Sequence, residues 1–385
     1  MFNRLLYIDP ISRDSAFVFG PRGTGKTHWI KKHFPNDLYF DLLDSETYTD
    51  FLANPSRLAD RIPSDYRGWI IIDEVQKVPA LLDEAHRLIE HRELRFILTG
   101  SSARKLKQGG VNLLAGRALT YHMHPLTSLE LGDEYDLARA LQYGNLPRVV
   151  NHDNPSKFLA SYVSTYLRQE VLQEGVTRNI GLFTRFLESA SFSQGSILNY
   201  TEIAREVASN RHTINNFFDI LEDLLIGYRL YPFTKHAKRN IVATPKFYYF
   251  DAGVYRSIRP KGPLDAPSEI DGPALETLFL QEARAINDYF DLGFEIFYWR
   301  TQSGQEVDFV LYGERGLFAF EIKRTQKIRS ADTKSLEMFQ LDYPMAKCFL
   351  LYGGTRYYTH INSSVMPFAD GVKRLKVLLT GLSDN

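Results

Sequence analysis

Hydrophobic residues fall in two rhythms along the chain. Through residues 1 to about 125, short apolar runs alternate with stretches of helical spacing: Ala16–Phe19, Leu38–Leu42, Trp69–Ile72, Phe96–Thr99 and Ala118–His122. Trp69–Ile72 is apolar at every position, as in a strand covered on both faces. Strand and helix in alternation predict a parallel sheet with helices packed on it, an α/β region. From about 126 to 178 the pattern is helical, with Leu126, Thr127, Ser128, Leu129 and Glu130 starting the first helix and Pro147 interrupting. In residues 180–232, Asn199 with Glu202 three positions on reads as a helix start, and Ser209-Asn210 as a turn. Ile214, Phe217, Phe218, Leu221, Leu224 and Leu225 then repeat at helical spacing. The strand-like runs Tyr228–Pro232 and Lys246–Phe250 follow. Helix, turn, helix and two strands predict a winged-helix unit.

A new compositional block opens near Asp251. Pro260, Gly262, Pro263, Pro267, Gly272 and Pro273 predict a loop or linker over Ser257–Pro273. A helix over Leu275–Phe290, several strands, a helix near Asp332–Leu341 and a strand over Ala346–Tyr352 come after it. Four regions are thus expected: 1–125, 126–178, 179–250 and 251–385.

Length and composition change this picture little. A chain of 385 residues suits two or three domains, and 44% hydrophobic with 24% charged residues is ordinary for a folded protein. The net charge of zero excludes a chain that is basic throughout, so any nucleic-acid surface is a local patch. The single cysteine, Cys348, sits in an apolar run and has no partner for an intrachain disulfide. The start, Met1–Tyr7, is soon interrupted by Asp9-Pro10, unlike a secretory signal, and no apolar run approaches a membrane span. The expectation is a cytoplasmic protein with no membrane partner.

The chemistry begins at Gly20, Pro21, Arg22, Gly23, Thr24, Gly25, Lys26 and Thr27, which read G-x-x-x-x-G-K-T between an apolar strand and a helix. The glycines let successive backbone N–H groups curl around a phosphate, and the helix N-terminus adds its positive end. Lys26 is placed to reach the β- and γ-phosphates and Thr27 to ligate Mg²⁺. Asp73 and Glu74 end the apolar run at Trp69–Ile72. There Asp73 would hold Mg²⁺, directly or through water, and Glu74 would polarise the water that attacks the γ-phosphate. ATP and Mg²⁺ are therefore the expected ligands. Thr99 or Ser101, at the end of the next strand, could sense that phosphate. Arg117, after a glycine in a loop, could act in trans as an arginine finger, which would require a homo-oligomer. Arg148 is a weaker candidate.

A second constellation lies far along the chain. Strand Gln305–Leu311, a turn at Tyr312–Gly316 and strand Leu317–Lys323 form a predicted hairpin. If its centre falls between Gly313 and Glu314, Asp308 faces Ala319; if between Glu314 and Arg315, it faces Glu321. Asp308, Glu321 and Lys323 share one face. Two carboxylates and a lysine suit metal-dependent phosphodiester cleavage, with Mg²⁺ or Mn²⁺ bound by hard oxygens and Lys323 stabilising charge. Glu276, beside the stripe Leu275, Phe279, Ala283 and Ile286, could supply a third carboxylate.

Taken together, Gly20–Thr27, Ile72–Lys77, Leu98–Ser102, Leu114–Arg117, Lys246–Gly253, Leu275-Glu276, Glu306–Asp308 and Glu321–Lys323 resemble the prokaryotic AAA-type P-loop ATPases with a C-terminal domain of unknown function. That C-terminal domain has a restriction-endonuclease-like PD-(D/E)XK fold. The resemblance covers nearly the whole chain. It implies an AAA-type core, a helical and winged-helix middle and an α/β nuclease-like end. Val307 stands where the motif's proline would be, and Gln340 to Tyr343 is one residue short of a related Gln…Tyr spacing. The leading function is an ATP-binding and ATP-hydrolysing protein with a metal-dependent nuclease-like C-terminal domain, with DNA as the expected partner. The alternative is a nucleotide-controlled switch that binds protein or nucleic acid without cleaving. For binding, Arg211, His212, Asn215 and Asn216, with the basic stretches Lys235–Arg239 and Lys323–Arg329, are the candidate contacts.

Overall fold

The computed structural model describes residues 2–102, 113–167, 179–263 and 265–382. Residues 103–112, before the loop expected to carry Arg117, and residues 168–178 of the expected helical region lie outside them. Five strands form the N-terminal sheet: β1 Ser15–Phe19, β2 Leu38–Asp41, β3 Trp69–Asp73, β4 Arg95–Gly100 and β5 Ala118–His122. Their order is β2-β3-β4-β1-β5, and every pair is parallel. Each strand falls on a sequence-predicted run, because an apolar run can be buried only where both faces of the sheet are covered. The pleat divides them: Phe17, Ile70, Ile72, Phe96 and Leu98 enter one core, and Ala16, Val18, Trp69, Ile71 and Ile97 the other.

Helix Ser128–Leu131 opens the middle region with a capping box in which Thr127 and Glu130 bind each other's backbone N–H. Further helices span Leu137–Tyr143, Pro147–Val150 and Pro155–Ser161, followed by a π-helical turn at Tyr162–Leu167. Helices Ile180–Phe192, Tyr200–Glu206 and Arg211–Asp223 lead to the antiparallel pair β6 Gly227–Leu230 and β7 Lys246–Tyr249. Asn199 caps its helix by accepting from the Glu202 N–H at 3.2 Å.

The loop expected over Ser257–Pro273 is mostly helical. Helix Ala252–Ile258 covers its start, and helix Pro267–Tyr289 begins at Pro267 and carries Pro273 inside it. A proline at the first helical position costs nothing, since its missing N–H has no partner there. Ile270, Ala274, Leu275, Leu278 and Phe279 are buried along this helix, and their packing overrides the local signal of Gly272-Pro273. The C-terminal strands are β8 Glu295–Arg300, β9 Glu306–Gly313, β10 Gly316–Lys323, β11 Lys347–Tyr352, β12 Tyr358–His360 and β13 Ser363–Pro367. They form a mixed sheet in the order β12-β13-β11-β10-β9-β8. One core runs from Ala140 to Leu379, so the middle helices and the C-terminal sheet are packed as a continuous body. Among the described residues, no helix is long and apolar enough to cross a membrane.

Candidate functional site: a nucleotide cleft and a buried acidic cluster

The loop between β1 and helix Lys26–His33 curls because Gly23 and Gly25 adopt φ of 87° and 96°, a backbone region costly for other residues. Gly20 meets a different demand. A Cβ there would lie 2.3 Å from the Met123 carbonyl oxygen, where the chain leaves β5. Lys26 is buried and its Nζ donates to the Gly20 oxygen at 2.6 Å, inside the curl. Its amine is thus held at the loop that would enclose a phosphate.

Asp73 is fully buried at the end of β3. Its Oδ2 accepts from the Thr27 hydroxyl at 2.7 Å and from the Tyr39 hydroxyl, and its Oδ1 from the Thr99 hydroxyl. β4 lies between β1 and β3 in the sheet, which is why a β4 side chain reaches both motifs. Burial and the Asp73 charge hold the Tyr39 phenol well above its ordinary pKa. Glu74 has φ 62° and ψ 45°, a left-handed conformation uncommon for a non-glycine residue. Its N–H donates to Thr99 Oγ1 at 3.0 Å. Its carboxylate accepts from Gln76 Nε2 and, at 3.4 Å, from Ser101 Oγ. Thr99 and Ser101 therefore take different tasks: Thr99 fixes Asp73 and the Glu74 backbone, while Ser101 holds the Glu74 side chain.

A cleft of ≈ 860 Å³ opens over this loop, lined by Arg22 to Thr27, Glu74, Arg4, Leu126, Pro147 and Arg148. Tyr162 donates to the Arg22 carbonyl at 2.8 Å, and the Arg22 guanidinium lies 4.5 Å over the Tyr166 ring. The middle helices thus close one wall of the cleft. Arg148 lines it and rests 5.4 Å over Phe158. Arg117 does not line it; its guanidinium pairs with Glu90 on the helix Leu81–Arg92, both 42% exposed.

At the far end, the β9–β10 register pairs Gly316 with Gly313 and Phe320 with Phe309, so one step further places Glu321 opposite Asp308. Asp308 Oδ2 accepts from the Ile322 N–H at 2.8 Å, and Lys323 Nζ binds Glu321 Oε1 at 2.5 Å. Lys246, from β7, is buried, pairs with Glu306 and lies 3.9 Å from Asp308. Glu276 accepts from the Tyr248 hydroxyl at 2.7 Å. Desolvation and the Asp308 charge lift the Glu276 carboxyl to about 7 and raise Glu321 as well, while desolvation raises Asp308 against the pull of Lys246 and Lys323. Lys246 and Lys323 are held above their ordinary pKa because these acids outweigh the cost of burial. Glu276, Asp308 and Glu321 thus share one electrostatic cluster. Among the described residues, however, no group of three His, Cys, Asp or Glu is arranged to hold a metal ion. The charge of the acids is met by Lys246 and Lys323 instead.

The candidate binding surfaces are largely engaged within the molecule. Arg211, His212 and Asn216 are exposed, but Arg229 binds Asn215, Asp219 and Glu222 on the same helix. Lys235 pairs with Glu295, Arg239 with Asp342 and Arg324 with Asp271.

Residues 12–132 match the family model described as AAA domain. The N-terminal sheet and its loop over Gly20–Thr27 are thus similar to the AAA domain. Residues 134–265 match a domain of unknown function (DUF8612), and residues 271–370 another (DUF4143). An uncharacterized protein of Mycobacterium tuberculosis, Rv2008c, is 25% identical over 381 residues, covering 96% of this chain and 82% of the relative. One of Haemophilus influenzae is 23% identical over 250 residues, covering 58% of this chain and 61% of its own length. The structure of Aeropyrum pernix ORC1 protein in complex with DNA is 12% identical with a TM-score of 0.24, covering 64% of this chain and 86% of that one. Protein VC1899 from Vibrio cholerae is 13% identical, also with a TM-score of 0.24, and covers 95% of this chain and 97% of its own.

Sequence motifs located Lys26, Thr27, Asp73, Glu74, Thr99 and Ser101. Tyr39 and Tyr162 were missed, since their partners are distant in the chain; Gln76, Lys246 and Tyr248 lie in stretches that carry the resemblance but had no role assigned. Lys246 had a weak signal: a lysine opening an otherwise aromatic strand.

Proposed function

We propose that the protein hydrolyses ATP in the N-terminal cleft and uses the cycle to switch its C-terminal unit, which binds a partner without cleaving it. The carrying observation is the chain of contacts from Thr27 through Asp73 to Thr99 and the Glu74 backbone. The Thr27 hydroxyl and Asp73 carboxylate, 2.7 Å apart, are a hard-oxygen pair that fits Mg²⁺. Bound there, Mg²⁺ would neutralise phosphate charge in the reaction. Lys26 leaves the Gly20 carbonyl to bind the β- and γ-phosphates. Gln76 and Ser101 fix one Glu74 oxygen and aim the carboxylate, which takes a proton from the attacking water. Water adds to the γ-phosphorus, the bridging oxygen leaves with ADP, and inorganic phosphate is released. Two variants test this with purified protein and Mg·ATP. Lys26→Ala is expected to lose nucleotide binding, and Glu74→Gln to bind ATP while hydrolysing it roughly 10²- to 10⁴-fold more slowly. Wild-type turnover by Glu74→Gln would remove Glu74 as the base.

Lys246 supports the non-cleaving reading, because a lysine ammonium already compensates the acids that a metal ion would need. As arranged, those acids do not fit a metal, and no cleavage step is derived from them. One observation favours a second reading, a Mg²⁺- or Mn²⁺-dependent nuclease acting on DNA: Glu321 Oε2 is buried and has no partner. Incubating plasmid DNA with either ion decides between them. Cutting by the wild type that Asp308→Ala and Lys323→Ala both abolish would establish the nuclease; equal results for all three would exclude it. Arg117, exposed and paired with Glu90, is the residue through which a neighbouring subunit could act in trans.

A further inference from the structure

Arg4 precedes every motif in the chain, yet its side chain binds four partners beside the cleft. Its side chain is 7% exposed and pairs with Glu130 at 2.8 Å. Its Nη1 donates to the Thr24 carbonyl at 2.6 Å. Its Nη2 donates to the His124 carbonyl at 2.5 Å and to the Tyr289 hydroxyl at 2.8 Å. The guanidinium also lines the nucleotide cleft.

The bond to Thr24 fixes more than one atom. A trans peptide is planar, and its C=O and the next residue's N–H point in opposite directions. With the Thr24 carbonyl turned toward Arg4, the Gly25 N–H is turned away from Arg4. Gly25 belongs to the phosphate loop, where N–H direction determines what the loop can bind.

Tyr289 is the last residue of helix Pro267–Tyr289, and this helix makes polar contacts with the end of the N-terminal domain and the start of the middle region. The Tyr289 hydroxyl accepts from Arg4 and, at 3.0 Å, from the His124 N–H. Asp288 binds His124 Nε2 at 2.6 Å. Glu282 accepts from the Ser128 N–H at 2.6 Å and its hydroxyl at 3.1 Å. The same helix carries Glu276, thirteen residues earlier, in the acidic cluster. At 1.5 Å per residue, one rigid element spans roughly 20 Å between the two sites.

We propose that Arg4 and Tyr289 are positioning residues for the nucleotide loop, and that through them helix Pro267–Tyr289 links the cleft to the C-terminal unit. The proposal rests on the ATP reading of the cleft. Binding at the loop and the placement of the helix end then bias each other, as linkage requires.

The test uses full-length protein, a fluorescent ATP analogue with Mg²⁺, and the variants Tyr289→Phe, Arg4→Lys and both together. Tyr289→Phe removes one oxygen and leaves the ring against His124. It is expected to weaken nucleotide binding roughly three- to tenfold, the scale of one ordinary intramolecular hydrogen bond. Arg4→Lys is expected to weaken it further, and the double variant to be no weaker than Arg4→Lys alone, because the tyrosine acts through the arginine. In the wild type, nucleotide should slow amide exchange at residues 282–289, and Tyr289→Phe should lose that protection. Unchanged binding by Tyr289→Phe, or losses that simply add in the double variant, would overturn the proposal while leaving the ATP site standing. A wild type that binds no nucleotide, or a Lys26→Ala variant that binds like wild type, would overturn the ATP reading and this proposal with it. Should Arg4→Lys fail to fold, Tyr289→Phe and the exchange measurement still decide.

Discussion

Replacing Lys246 by methionine probes the acidic cluster most directly. The substitution keeps most of the side chain's volume and removes its charge. Lys246 lies 3.9 Å from Asp308 and also pairs with Glu306. At an effective dielectric of about 20, two unit charges at 3.9 Å attract by roughly 4 kcal/mol. Removing one partner of a buried pair generally costs about 3–5 kcal/mol, which agrees. Lys246 has a folded-state pKa raised above its ordinary 10.5, so the amine stays charged and its stabilisation is present below 10.5. The variant behaves differently. Without the amine, ionised Glu276, Asp308 and Glu321 repel one another, and protonation relieves them; Glu276 already titrates at about 7. The loss of stability should therefore be about 3–5 kcal/mol at pH 8 and smaller by at least about 1 kcal/mol at pH 5. Amide exchange in β9 and β10, measured at both pH values, reports the local opening free energy. A loss below about 1 kcal/mol at pH 8, or an equal loss at both pH values, would refute the assignment of Lys246 as the cation of this cluster.

Three further outcomes follow from the geometry. Thr99→Val removes the hydroxyl that Asp73 and the Glu74 N–H share, so ATP binding should change by a few-fold while turnover falls roughly 10²-fold; comparing kcat with KM checks this. Burial lifts the Glu282 carboxyl from 4.5 to about 8, so its contribution to stability is complete below 4.5 and is lost as pH rises through 8. Glu282→Gln should flatten that slope and be more stable than wild type above pH 8, by an amount on the order of a few kcal/mol in urea unfolding. A Cβ on Gly253 would lie 1.9 Å from the Tyr143 carbonyl oxygen, so Gly253→Ala should destabilise by about 3 kcal/mol or more, read as a lowered midpoint of thermal unfolding.

The N-terminal sheet was legible because each of its strands is a self-contained signal. An apolar run such as Trp69–Ile72 can only be a buried strand, and its end must then carry the polar pair Asp73-Glu74. The hairpin at Glu306–Lys323 was legible up to one residue of register. Turn residues alone left two alignments, and pairing in the sheet selected the one that sets Glu321 against Asp308. Of the loop expected over Ser257–Pro273, the described residues between Ile258 and Pro267 are non-helical, but from Pro267 on the chain is helical, since the burial of Ile270 and Leu275 is not visible in local spacing.

By itself the sequence determined the phosphate loop, its acidic partner, the strands of the N-terminal sheet and the placing of Glu321 and Lys323 on one face of a strand. These depend on neighbours in the chain, whose geometry follows from backbone rules. Tertiary structure alone decided what surrounds them. Arg4 and Tyr289 are 285 residues apart and meet at one hydroxyl. Lys246 joins acids 60 or more positions downstream, and so decides that their charge is met by an ammonium. A hydrogen bond or an ion pair acts over a few ångströms in space, whatever its separation in the chain, and only folding sets that distance.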